Sequence, residues 1–170
     1  ITPDANHRID TVSGCGGSLS GNTYTTAPVT ADCEVVATFA IDTFTVVASA
    51  GPNGSITPPT QDVDHGEVAT LTVTPDAHHH VDTVEGCGGT LVGNTFTTAP
   101  VTGDCEVSAS FAIDTHAIGG TVSGLAGSGL VLRLDGVEDL AVGANGPFMF
   151  GAPVDSQSDY LVTVQQQPSS

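Results

Sequence analysis

Asp82-Thr-Val-Glu-Gly-Cys87-Gly-Gly-Thr-Leu-Val-Gly-Asn-Thr-Phe96-Thr-Thr-Ala-Pro-Val-Thr-Gly-Asp-Cys105 restates Asp10-Thr-Val-Ser-Gly-Cys15-Gly-Gly-Ser-Leu-Ser-Gly-Asn-Thr-Tyr24-Thr-Thr-Ala-Pro-Val-Thr-Ala-Asp-Cys33 almost residue for residue. Outward from this stretch, residues 1–43 lie over residues 73–115 at a constant offset of 72 without a gap, and 32 of the 43 pairs are identical. Tandem copies of this kind are one small module strung along a chain. Such chains build length or present a surface, whereas an enzyme normally concentrates its chemistry in one pocket. The second copy runs from about Phe44 to Thr115. On this alignment residues 1–43 form the back part of a first copy. The equivalent of 44–72 is then expected ahead of Ile1, in a longer polypeptide of which this chain is a segment.

The repeat divides 170 residues into three small units: 1–43, 44–115 and 116–170. At this size a hydrophobic core alone is marginal. Lys is absent, Leu, Glu and Arg are rare, and Thr, Val, Gly and Pro are frequent. Runs such as Thr45-Val-Val-Ala-Ser49 and Val68-Ala-Thr-Leu-Thr-Val-Thr74 favour pleated strands. The fold class expected is all-β: tandem small modules, β-grasp-like or sandwich-like, in a rod, followed by a truncated β-sandwich-like unit. No stretch of 18 apolar residues exists, so no helical membrane span is expected.

Two basic residues, Arg8 and Arg133, face 19 acidic ones, for a net charge of −17. Phosphate neutralisation needs Lys and Arg, so nucleic acid is excluded as a partner, and anionic lipid with it. The charge keeps a rod soluble and self-repelling. Its functional alternative is a need for Ca²⁺ or high salt to offset the repulsion, although no calcium-loop motif is present. The absence of Lys also removes Schiff-base chemistry and Lys–Asn crosslinks.

Stabilisation is therefore expected from the four cysteines. Cys15 and Cys33, then Cys87 and Cys105, stand 18 residues apart in the same Gly-Cys-Gly-Gly and Asp-Cys-Glu contexts. Of the three pairings open to four cysteines, only Cys15–Cys33 with Cys87–Cys105 treats both copies alike. A metal site would have two thiols per module and no C-x-x-C spacing. Disulfides imply an oxidising compartment, outside the cytoplasm.

Along the complete copy, Phe44–Ala50 reads as a strand, Gly51-Pro-Asn-Gly54 as a turn, and Ser55–Thr57 as the start of a return strand that Pro58-Pro59 confines to an edge. In Val68–Thr74, Ala69, Leu71 and Val73 share one face. Leu91–Phe96 reads as a hairpin with Gly93-Asn94 at its tip. Cys105–Phe111 closes the module, with Cys105, Val107, Ala109 and Phe111 facing one way. Phe39-Ala-Ile-Asp-Thr43 runs into Phe44, and Phe111-Ala-Ile-Asp-Thr115 into His116, with no linker between; this favours a stiff join. Beyond His116, Leu130, Leu132 and Leu134 share a face, Asp135-Gly136 and Asn145-Gly146 carry hairpin signals, and Tyr160–Val164 reads as a last strand.

The opening strand Phe44-Thr-Val-Val-Ala48, then Gly54-Ser-Ile-Thr-Pro58, Gly66 before Val68-Ala-Thr-Leu-Thr-Val-Thr-Pro75, and the closing Val107-Ser-Ala-Ser-Phe111 together resemble the divergent internalin-type B-repeats of bacterial surface and secreted proteins. Thr83-Val-Glu-Gly86 takes the place of the family's mid-module Trp-Ser-Gly or Val-x-Gly segment. His79 and His80 replace aromatic residues of its x-Tyr-x-Phe segment. The resemblance covers residues 1–115. It implies stalk or spacer modules, some with a β-grasp-like core, and no catalysis. Residues 117–164, with Gly119-Gly-Thr-Val-Ser-Gly124 and Tyr160-Leu-Val-Thr-Val164, resemble a bacterial immunoglobulin-like or prealbumin-like surface module.

Candidate sites are few. His78-His79-His80 offers metal-ligating imidazoles, but neighbours on a strand point to opposite faces, and the first copy reads Asn6-His7-Arg8. Asp42 and Asp114, at equivalent junctions, are calcium candidates with Asp10 and Asp82, Asp32 and Asp104, or Asp62 and Asp64; the plainer reading is that Asp ends strands and caps turns. Asn53-Gly-Ser55 is a formal sequon in a turn. No Gly-x-Ser-x-Gly elbow or recurring Ser–His–Asp grouping appears, and no cofactor is expected. The first functional expectation is a non-catalytic, disulfide-stapled stalk or spacer in a large bacterial surface or secreted protein, adhesin-like, whose partners are its neighbouring modules. The second is a subunit of an extracellular filament built with other copies by strand complementation. The third, a carbohydrate- or ligand-binding module, would usually use exposed aromatics, and the chain has two Tyr and six Phe.

Overall fold

The computed structural model describes residues 1–169 and, as expected, is all-β. Its contacts divide it into two compact units: Ile1–Thr74 with Val81–Ser110, and Pro75–His80 with Phe111 onward.

In the first unit, the back part of the first copy supplies β1 (His7–Gly14), β2 (Ser18–Ser20), β3 (Thr23–Thr25) and β4 (Val35–Ile41). β1 pairs with β4, and β2 with β3, both antiparallel. The complete copy adds β5 (Thr43–Ala50), β6 (Gly54–Thr57), β7 (Thr60–Asp64), β8 (Thr70–Pro75), β9 (His79–Gly86), β10 (Thr90–Val92), β11 (Thr95–Thr97) and β12 (Cys105–Ile113). These form two four-stranded sheets, ordered β7-β5-β12-β9 and β10-β11-β8-β6. Val46, Val63, Ala69, Leu71, Val73, Phe96, Val101, Val107 and Ala109 are buried. The alternation read over Val68–Thr74 is borne out, with Ala69, Leu71 and Val73 inside and the threonines between them exposed. The Gly93-Asn94 hairpin forms as expected, with Val92 opposite Thr95.

Two features were not legible locally. Ser55–Thr57 does return from the Gly51–Gly54 turn, but it leaves its neighbour's sheet: β6 pairs with β8 at the edge of the other one. The edge placement suits Pro58-Pro59, which cannot donate to a further strand. The first strand, β5, instead lies between β7 and β12, and its pairing with β12 is parallel, from Cys105 opposite Val46 to Ala109 opposite Ala50. A parallel pair needs a long crossover, and the intervening module is that crossover.

The Gly-Cys-Gly-Gly motif has a steric cause. Gly86, Cys87 and Gly88 have φ of 122°, 47° and 62°, and Gly14, Cys15 and Gly16 repeat this at 119°, 49° and 63°. Such angles are the left-handed region that glycine tolerates. A Cβ on Gly86 would also overlap the Glu106 carbonyl, and one on Gly89 the Phe96 ring. Gly86→Ala is expected to destabilise the second repeat by about 2 kcal/mol or more, from backbone strain and displacement of β12; denaturant titration checks this.

The second unit contains β13 (Thr115–His116), β14 (Gly119–Val122), β15 (Leu130–Leu134), β16 (Glu138–Val142), β17 (Gly146–Met149), β18 (Val154–Asp155) and β19 (Val162–Gln166). β15 sits between β16 and β19, while β14 pairs with β17 and β13 with β18. Leu130, Leu132, Leu134, Val142 and Phe150 form the core, against Ile118, Val122 and Phe148. Asp135-Gly136 turns β15 into β16 as expected. Asn145-Gly146 does not close a hairpin: it carries the chain from β16 to β17, which pairs with β14 instead. Asn145 Oδ1 there accepts the Leu125 N–H at 2.7 Å. The last strand begins at Val162, leaving Tyr160 and Leu161 outside it and exposed.

On this unit's surface Arg133 and Asp139 are cross-strand neighbours, and the guanidinium donates to both carboxylate oxygens. The Arg133 hydrogen bond holds the Asp139 carboxyl below the usual carboxylate range. A lowered folded-state value means that the pair's contribution is present above the ordinary Asp pKa and is lost as pH falls through the lowered value. Arg133→Gln is expected to raise the Asp139 midpoint back toward that of a free Asp, read by NMR titration of its carboxyl carbon. The effect on global stability is small because the pair is solvated.

Candidate functional site

The features both copies share are a disulfide corner and an end joint. In each corner a disulfide ties the turn after one strand to the residue at or just ahead of the closing strand, with Cα–Cα distances of 5.5 Å for Cys15–Cys33 and 5.6 Å for Cys87–Cys105. This is the symmetric pairing. The bridge positions the adjacent aspartate: Asp104 Oδ1 accepts the Thr45 N–H at 2.8 Å, where β5 meets β12. A second contact follows along the strand, from Ser49 Oγ to Glu106 Oε1 at 3.1 Å. Asp104 was grouped above with calcium candidates; its place beside the parallel strand was missed. The available signal was the Asp-Cys-Glu triplet kept in both copies.

The joint is built by Asp42 and Asp114. In the first unit the Asp42 N–H donates to the Asn6 carbonyl at 2.9 Å, and its carbonyl accepts the His65 N–H at 2.8 Å. In the second unit the Asp114 N–H donates to the His78 carbonyl at 2.8 Å, and its carbonyl accepts the Ser156 N–H at 2.7 Å. The next strand then starts at once. Thr43 pairs with Asp64, and Thr115 with Asp155. One backbone joint thus recurs with different following sequences, Asp64-His65 and Asp155-Ser156. The side chains match as well: Arg8 lies 3.9 Å from Asp42, and His80 Nδ1 is 2.9 Å from Asp114.

The other candidate residues are placed apart. His78 Nδ1 meets Ser156 Oγ at 3.1 Å, His79 Nδ1 the Ala77 carbonyl at 3.0 Å, and His80 Asp114, so the three imidazoles take three partners. Asp10 and Asp82 accept from Thr38 and Ser110 hydroxyls, and Asp62 from Thr45 Oγ1. Among the described residues no three His, Cys, Asp or Glu side chains converge in one group. Asn53 is exposed in its turn. One cleft, in the second unit, is lined by Leu140–Met149, where Asn145 is the polar side chain. No helix of the described residues is long and apolar enough to cross a membrane.

An all-β repeat with a disulfide corner, joined to its neighbour without a linker, defines the class: a small tandem module. Residues 44–115, the complete copy, match the family model of the divergent InlB B-repeat domain. The match begins and ends with the repeat read from the internal alignment, and it does not extend into residues 116–170. No curated protein and no solved structure matches the chain.

Proposed function

We propose that this chain is a non-catalytic spacer segment of a bacterial cell-surface or secreted protein, with its working head elsewhere in the polypeptide. The observation that carries this reading is the recurring joint: each repeat ends on an aspartate whose N–H and carbonyl are both bonded, and the next strand starts at the following residue. A joint without a linker sets distance in a way that a flexible tether does not. Two disulfides suit an oxidising compartment, and the family match suits a surface module. The strong negative charge discourages association along the sides.

Electron microscopy of the native material, with and without a calcium chelator, tests this. Isolated rods or tails on cells support the spacer. Long regular filaments would replace it with the filament-subunit reading, and shortening on chelation would bring in Ca²⁺.

A further inference from the structure

The chain has five asparagines, and two of them, Asn53 and Asn145, precede glycine. In both pairs the asparagine is exposed and the glycine half-buried. They differ in what holds the side chain. Asn145 Oδ1 accepts the Leu125 N–H at 2.7 Å, and Gly146 stands opposite Val122 in β17. The Asn53 carboxamide has no hydrogen-bond partner among the described residues. Its backbone lies at φ 71°, in the left-handed region that asparagine enters more readily than most residues. Gly54 brings no Cβ to crowd the approach to its own nitrogen. Asn22 and Asn94 precede threonine instead, whose branched side chain obstructs that approach.

We propose that Asn53 is a site of self-modification, at which the side-chain amide is slowly lost to the chain's own backbone. Asparagine is among the thermolabile residues, and the free Asn53-Gly54 turn is where this chain leaves one unguarded. The Gly54 nitrogen, its proton taken by hydroxide, attacks Asn53 Cγ. A C–N bond forms, the side-chain nitrogen leaves as ammonia, and a cyclic succinimide results. Water then opens the ring at one of its two carbonyls. One opening gives Asp. The other gives an isoaspartyl link, in which the main chain runs through Cγ. Nothing is oxidised or reduced, and water is the co-reactant.

The place of the turn gives the change a consequence. Gly51–Gly54 joins β5 to β6, which belong to different sheets of the complete copy. The Gly51 N–H closes the end of the parallel pair by donating to the Ala109 carbonyl at 2.9 Å. Either product adds a carboxylate to a chain already at −17. The isoaspartyl product also lengthens the main chain where it crosses from one sheet to the other, which loosens that end of β5. The complete repeat thereby records its age in one turn. The inference is independent of the spacer reading, because it rests on the turn alone.

The test incubates the full chain at mildly alkaline pH and follows each asparagine by peptide mapping with mass spectrometry, which reads amide-to-acid conversion and separates Asp from isoaspartyl peptides. Conversion at Asn53 is expected to outrun that at Asn145 by about fivefold or more, the factor that one typical hydrogen bond on the Asn145 amide supplies. In denaturant, where neither turn persists, the two rates should converge. Asn53→Gln should remove the fast conversion and leave that at Asn145 unchanged. Equal rates at the two sites in the folded chain, or no conversion at Asn53, overturn the proposal. So does a glycan on Asn53 in native material, because the sequon Asn53-Gly-Ser55 would then have claimed the same amide nitrogen. In the isoaspartyl fraction the Gly51 amide should exchange faster than in fresh protein; unchanged exchange there overturns the loosening of β5.

Discussion

Phe96→Ala is expected to lower the stability of the second repeat by about 3–5 kcal/mol. The ring is fully buried on the three-residue strand β11, opposite Leu71 on one side and Leu91 on the other. Gly89 approaches it so closely that a Cβ there would overlap the ring. Truncation removes its apolar contacts and leaves a cavity that two short, rigid strands cannot collapse to fill. The first copy supplies the control. Tyr24 occupies the same place but is half-buried, with its hydroxyl donating to the Gly14 carbonyl at 2.6 Å. Tyr24→Ala should therefore have a clearly smaller effect, dominated by that hydrogen bond, on the order of 1 kcal/mol. Residue-resolved hydrogen exchange on the β8 and β11 amides reads the second repeat separately from the first. Equal effects at the two sites would mean that the first copy is as well covered as the second.

Removing the second disulfide by the double substitution Cys87→Ala with Cys105→Ala is expected to reduce stability by roughly 3 kcal/mol in the chain-entropy view. The closed loop has a sequence separation of 18. The same bridge has a local duty as well. It holds Cys87 at a positive φ and places Asp104 beside β5. The loss should therefore show first as faster exchange where β5 meets β12, at Thr45–Val47, ahead of global unfolding. Guanidinium titration of the double variant against the unsubstituted protein, both oxidised, measures the global term. A global loss with uniform exchange across the module would leave chain entropy as the whole explanation.

Much of the second repeat was legible because its signals are local. Period-two alternation in Val68–Thr74 marked the inner face of β8. Asn-Gly and Gly-Asn pairs marked turns, and the repeat's symmetry chose one cysteine pairing of three. Where a signal was local but its consequence was not, the reading failed. Asn145-Gly146 turns the chain as such a pair does, yet the strands on either side pair elsewhere. Ser55–Thr57 is a strand, yet in the opposite sheet. The place of Asp104 was not legible because a carboxylate's sequence context does not reveal that its partner is a backbone N–H 59 residues away.

From the sequence alone come the all-β class, the repeat period, the inward faces and the disulfide partners. These follow from alternation and from duplication. Only the tertiary structure decided that the first strand of the repeat lies parallel to its last and that an aspartate joint recurs at Asp42 and Asp114. Each of these depends on groups distant in sequence. Their pairing is settled by which apolar faces and hydrogen-bonding edges satisfy one another once the chain has closed its long loops.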